Sequence, residues 1–243
     1  MLSLSKLRLL LILPFTVAMV FYLFLVGANY YYASRAAYLL QQIRTLPLDK
    51  SGEATLRGLG SEHGFRYVEA SNCADSPCLH IVSTDNQWMW VPFKTPALFK
   101  VGERLGLRPW ETVGDIEMDR GQIVGKIYGL AFRRDSRNYD QIEASAWDER
   151  KLEVAMCAYH PLKRHPGYAF MKADNISSFR VLVSNPASEQ NRQNAFRFNL
   201  NCLTGWHKCD RFSEIMPSAW ADYEEDGKWS EANPSWQPGT PCP

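Results

Sequence analysis

The hydrophobic pattern of this chain breaks into two regimes. Residues 9–28 are uncharged and apolar on every helical face, whereas the rest alternates short apolar stretches with polar ones. At about 1.5 Å of rise per residue, a run of that length matches the roughly 30 Å hydrocarbon core of a bilayer, which predicts one transmembrane helix. Pro14 sits in its first two turns, where a missing backbone donor does least harm, and Thr16 can bond back to the backbone. Tyr22 and the triplet Tyr30, Tyr31, Tyr32 fit the aromatic belt of a membrane interface. Helical spacing resumes over residues 33–46, where Ala36, Leu39, Leu40 and Ile43 share a side before Pro47, so the anchor is expected to continue into the domain. Residues 51–63 read as a second short helix, with Ser51 as N-cap and Gly64 as its stop.

From Phe65 the period changes to two. Strands are expected over residues 65–69, 79–84 and 88–93, the first two joined as a hairpin whose loop carries Cys73 and Cys78. Thr95 and Pro96 form an N-cap and first-turn pair for a helix over 97–107. Asp119, Arg120 and Gly121 supply turn chemistry between strands 115–119 and 122–133, with Gly125 and Gly129 signalling a bend or bulge. Further strands are expected over 141–147, 153–158, 168–172 and 179–184, a short polar helix after Asn185 and Pro186, and a last strand through Phe196, Phe198, Leu200 and Cys202. The acidic, Pro-rich end, 221–243, reads as an irregular segment docked by Trp229 and Trp236. The fold class is therefore α+β: a single N-terminal transmembrane helix, then an exported domain of short helices on a mainly antiparallel sheet. Its divisions are a short cytoplasmic N-terminus (1–8), a signal anchor (9–28), membrane-proximal helices (29–64), a sheet domain (65–220) and the C-terminal segment (221–243).

Charge sets the orientation. Lys6 and Arg8 precede the run and only Arg35 follows within fifteen residues, which places the N-terminus in the cytoplasm and the domain in the periplasm or outside the cell. Val26, Gly27 and Ala28 form a small-residue site that a signal peptidase accepts, but the apolar core is long for a cleaved signal, so retention is expected. Without Lys6 and Arg8, the 27 basic residues fall to 25 against 26 acidic ones, too even a balance for a nucleic-acid partner.

All six cysteines follow the span, on the side expected to be oxidising. Of the connectivities open to them, the local pairs Cys73 with Cys78 and Cys202 with Cys209 are favoured, leaving Cys157 for Cys242. That last bridge would tether the tail and restrict the unfolded chain by about 4 to 5 kcal/mol on the entropic account. Cys202, His207 and Cys209 could instead hold a metal, but the spacing matches no standard zinc pattern.

Candidate chemistry is sparse. Asp115, Glu117 and Asp119 at period two share one strand face, which could bind a cation or a catalytic water but is expected to be a solvated sheet surface, since no further ligands accompany it and Arg120 lies in the adjacent turn. His160 and His165 flank a basic loop, and His80 reads as a surface or packing residue beside Cys78. Among eight tryptophans, Trp88 and Trp90 would point to one side of a strand, where core packing is the favoured reading and a binding groove for carbohydrate or peptide the alternative. Asn175, Ile176 and Ser177 make a glycosylation acceptor triplet. With no Gly-x-Ser-x-Gly elbow, His-Glu-x-x-His helix or phosphate loop in the sequence, no catalytic residue, metal ligand or cofactor is assigned.

Two short helices followed by antiparallel strands over residues 39–133 resemble the small exported modules of the SmpA and β-lactamase-inhibitor type. The resemblance lies in layout and implies a role in binding proteins; this chain lacks a lipidation cysteine and carries a long additional C-terminal half. The expectation is a membrane-anchored, non-enzymatic binding or envelope-associated module with a protein partner. An envelope hydrolase acting on glycan or peptide, with Asp115 and Glu117 against an aromatic cleft, is the alternative.

Overall fold

The computed structural model describes residues 4–48, 50, 52–62, 64–70, 78–86, 95–133, 139–148, 160–162, 165–173, 178–184, 186–204, 209 and 211–232. Its longest element, α1 (Leu4–Thr45), is one continuous helix that passes without a break from the apolar run into the domain. Ile12, Phe15, Val20 and Phe24 are exposed, and the helix is long and apolar enough to cross a membrane. Burial begins at Leu25 and recurs at Asn29, Ala33, Ala36, Leu39 and Ile43, three or four residues apart, so one stripe of the same helix faces protein.

That stripe lies on an eight-stranded sheet of β1 (Arg66–Ala70), β2 (Cys78–Asp85), β3 (Trp110–Asp119), β4 (Gln122–Arg133), β5 (Tyr139–Trp147), β6 (His160–Pro161), β7 (Tyr168–Ala173) and β8 (Ser178–Ser184). Its order is β1-β2-β3-β4-β5-β8-β7-β6. The described pairings are antiparallel except β5 with β8, which is parallel. The fold is α+β with a mixed, mainly antiparallel sheet. At the β3–β4 turn Arg120 (φ 49°) and Gly121 (φ 77°) are both left-handed, the backbone that matches the twist of a two-residue hairpin. A register shift beside Glu117 and Met118 opposite Gly125 marks the bulge.

Strand parity sorts the two faces. Trp110, Thr112, Gly114, Ile116 and Met118 of β3 are buried on the helix-covered side, while Glu111, Val113, Asp115, Glu117 and Asp119 are half-buried on the other. Gly114 admits α1: a Cβ there would overlap the Ile43 Cδ1 and come within 3.5 Å of Leu39. Tyr128 donates its hydroxyl to Ala36 O at 3.3 Å, binding the same helix. Short helices complete this layer, namely α2 (Glu53–Ser61), α4 (Glu189–Ala195), α5 (Phe212–Ile215) and α6 (Pro217–Ala232), while α3 (Pro96–Arg104) packs beside α1 in a separate small cluster through Phe99.

Several expectations change. The N-cap of α2 is Gly52, not Ser51, and no side chain caps it. The polar helix after Pro186 starts at Glu189, where Ser188 Oγ accepts from Asn191 N at 3.1 Å. Residues 196–202 are not a strand. Phe196 and Phe198 are buried, Phe198 edge-on to Tyr128 at 5.0 Å, and Leu200–Leu203 is a 3₁₀ turn. The alternation there records a coil packed across a sheet whose central strands already have neighbours on both sides. The acidic end is not irregular through residue 232: α6 buries Ala219 and, with Trp220 and Tyr223, joins Phe170, Phe179 and Phe212 in an aromatic cluster at centroid spacings of 5.3–6.3 Å. The strands expected over 88–93 and 153–158 lie outside the described residues.

Candidate functional site on the second sheet face

The face away from α1 carries the three period-two carboxylates, and the register shows what stands beside them. Asp115 is level with Ile127, Ser145 and Leu182 on β4, β5 and β8, while the next row runs Val113, Gly129, Glu143 and Arg180. Gly129 leaves that row without a side chain between Val113 and Glu143; a Cβ there would meet nothing nearer than Val113 O at 3.8 Å. Glu143 and Asp115 thus share a face, two strands apart, and the Asp115 charge helps to raise Glu143.

Their environments differ in one respect. Burial pushes the Asp115 carboxyl above its ordinary value, and its Oδ1 is buried without a hydrogen-bond partner. Burial also raises Glu143, but Arg180 opposes that rise, with its Nε 3.4 Å from Glu143 Oε2 in a contact that is an ion pair rather than a hydrogen bond. Both carboxyls are therefore held above their ordinary values by burial, and only Glu143 has a cation beside it that opposes the rise. Sequence reasoning found Asp115 and missed Glu143 and Arg180, because only the β4–β5 and β5–β8 registers bring them onto this face. It expected the acidic face to be a solvated surface; half-burial and the unpartnered oxygen show that Asp115 is not fully solvated.

A second polar feature lies on the helix-covered side, where Arg44, Leu48, Lys126, Arg192 and Phe196 line a cavity of about 380 Å³. Lys126 is buried, and its Nζ donates to Arg44 O at 3.0 Å and Leu46 O at 2.6 Å, closing the carbonyl end of α1. Burial lowers its pKa to about 8. The sequence signal for this residue was its parity: Lys126 points the same way as Tyr128, Leu130 and Phe132.

The remaining candidates have structural places. Cys202 and Cys209 are joined by a disulfide, so neither thiolate is free for a metal. Cys78 is disulfide-bonded too, while Cys73, Cys157, Cys242 and His207 lie outside the described residues. His80 is fully buried, its Nδ1 2.6 Å from Tyr67 Oη and its Nε2 3.5 Å from Cys78 Sγ, a packing residue. His160 belongs to the short strand β6 rather than a loop, and His165 sits edge-on to Tyr168 at 6.2 Å. No cluster of three or more His, Cys, Asp or Glu suited to a metal occurs among the described residues. Trp88, Trp90 and Asn175 fall outside them. The chain matches no protein family, no curated protein and no solved structure.

Proposed function

We propose that this chain is a single-pass, membrane-anchored extracytoplasmic module that works by binding another protein. The observation that carries the reading is the continuity of α1: its exposed apolar half and its buried half are one helix, fastened to the sheet through Asn29, Ala36 and the Lys126-capped carbonyl end. A domain mounted this way holds a set height and orientation above the bilayer, which suits docking against a neighbouring membrane protein. The Cys202–Cys209 disulfide and the Lys6, Arg8 bias support an oxidising side for the domain and a cytoplasmic N-terminus. Retention of the anchor is favoured because Leu25, just ahead of the Val26-Gly27-Ala28 site, is buried with Phe99 and Leu107. Affinity capture from detergent-solubilised membranes should recover a specific protein with the full chain. Recovery of none, under conditions that keep the Cys202–Cys209 bridge, would count against the binding role.

One observation favours a second reading, a hydrolase of glycan or peptide. Asp115 and Glu143 share one sheet face as a half-buried carboxyl pair, with Arg180 beside Glu143 alone, and a pair of carboxyls in unlike surroundings is what such chemistry uses. Cleavage of envelope glycan or peptide that is lost in both Asp115→Asn and Glu143→Gln would establish it; cleavage unchanged in both would remove these residues from any activity.

A further inference from the structure

The apolar surface of α1 does not end where the domain begins. Helix α3 carries Leu98, Val101 and Leu105 at its surface, 49%, 51% and 38% exposed, and at 100° per residue they fall within roughly 60° of arc, one narrow stripe. Its buried side, Phe99 and Gly102, turns toward the protein, and Phe99 packs with Leu25 and Leu107 against Tyr22 and Val26 of α1. Glu103 lies on the side opposite the stripe and reaches back to the domain, 4.0 Å from Arg108 Nη2. The stripe therefore points away from the domain.

Its level along α1 is set by a hydrogen bond: Tyr22 donates its hydroxyl to Leu105 O at 3.2 Å. Tyr22 stands six residues, about 9 Å of helix, before the end of the apolar run at Ala28. The C-terminal end of α3 is thus beside the last turns of the apolar run, next to exposed Phe21 and Leu23, and not above it. Lys100 and Arg104 are exposed and lie to one side of the stripe, about 100° and 60° round the helix from Val101, Arg104 being the nearer.

We infer that α3 is a second membrane contact, an interfacial amphipathic helix that lies beside α1 with Leu98, Val101 and Leu105 in the acyl region and Lys100 and Arg104 at the headgroups. The inference rests on the reading of α1 as a membrane span. The occupant of the stripe is lipid because the stripe continues the surface of that span at the same depth. Two contacts at one level would stop the domain from tilting about its anchor and would present its far surfaces in one orientation.

The test is site-directed photocrosslinking of the full chain in lipid nanodiscs, with a diazirine amino acid placed singly at Phe21, Leu98, Val101 and Lys228. Lys228 is exposed on α6. Lipid adducts are expected at Phe21, Leu98 and Val101, and their loss at Lys228. Lipid adducts at Phe21 without any at Leu98 and Val101 would overturn the inference and leave the anchor standing. Adducts at Leu98 and Val101 to a second copy of the chain, or to a protein co-purified in the disc, would also overturn it. An absence of lipid adducts at Phe21 as well would remove the span, and the inference with it.

Discussion

The Oδ1 atom of Asn29 accepts the indole N–H of Trp110 at 3.0 Å, joining α1 to the first residue of β3 across 81 residues of chain. The same oxygen accepts from Asn86 Nδ2 at 2.9 Å, and the Asn29 amide donates to Leu203 O at 2.8 Å. Asn29 is buried one position beyond the apolar run. A polar side chain in that place is satisfied only while the domain is folded around it, which couples the apolar end of α1 to the sheet.

Asn29→Ala should therefore leave membrane retention intact and destabilise the domain. Stranding the Trp110 indole N–H costs roughly 1–3 kcal/mol as one unmet buried donor, while Asn86 Nδ2 keeps its bond to Arg108 O at 2.9 Å. Chemical unfolding in detergent, read by tryptophan fluorescence, measures it; an unchanged midpoint would mean that the network does not couple the two parts.

Gly114→Val tests the seat of α1 on the sheet. Its side chain would occupy the space of Ile43 and press on Leu39, an overpacking cost of about 1–3 kcal/mol. Gly129→Val, where an added Cβ meets only Val113 O at 3.8 Å, is the matched control on the other face of the sheet and should cost less in the same unfolding assay.

Lys126 makes the stability depend on alkaline pH. Its pKa is about 8 in the folded chain against an ordinary value of 10.5, so between those values the unfolded chain holds a proton that the native state has released. Stability should rise across that window, since the unfolded state binds more protons there. Lys126→Met trades the two hydrogen bonds to α1 carbonyls for relief of the buried charge, and the difference between variant and wild type should change with pH only in that window. Parallel unfolding curves at pH 7 and pH 10 would refute this.

Asp115 acts in the opposite sense. Its carboxyl is raised above 3.8 by burial, so the native state holds the proton longer and stability falls as pH rises from that value through the raised one. Asp115→Asn should melt at a higher temperature than wild type at pH 7, with the gap closing in acid. Thermal melts across pH follow it directly, and a variant that melts lower at pH 7 would show that the charged form is stabilised by something else.

How much of this was legible in the sequence varied with the kind of signal. The Thr95-Pro96 cap and the Asp119-Arg120-Gly121 turn are local, because their geometry is decided by neighbouring residues, and both appear where the pattern puts them. The 196–202 alternation misled for the converse reason. Period two reports which side chains are buried, and Phe196 and Phe198 are buried by a coil crossing the sheet without any strand pairing. The acidic end misled through composition: Glu224 and Glu225 are exposed on α6, but Asp226 is buried, Asp222 accepts from Asn194 Nδ2 at 3.0 Å, and Ala219 and the aromatic cluster hold the helix to the domain.

The sequence by itself determined what short-range physics and sheer apolarity control: a helix long enough to cross a bilayer, the caps and turns, and the strand parity that puts Asp115, Glu117 and Asp119 on one face. Only the tertiary structure decided the relations that depend on strand register and helix seating. It set Glu143 and Arg180 on the face of Asp115, placed Lys126 under the end of α1, and brought Leu105 to the level of Tyr22. Those contacts join residues far apart in the chain, and the side chains concerned become partners only when the sheet closes one register out of several that local pattern allows.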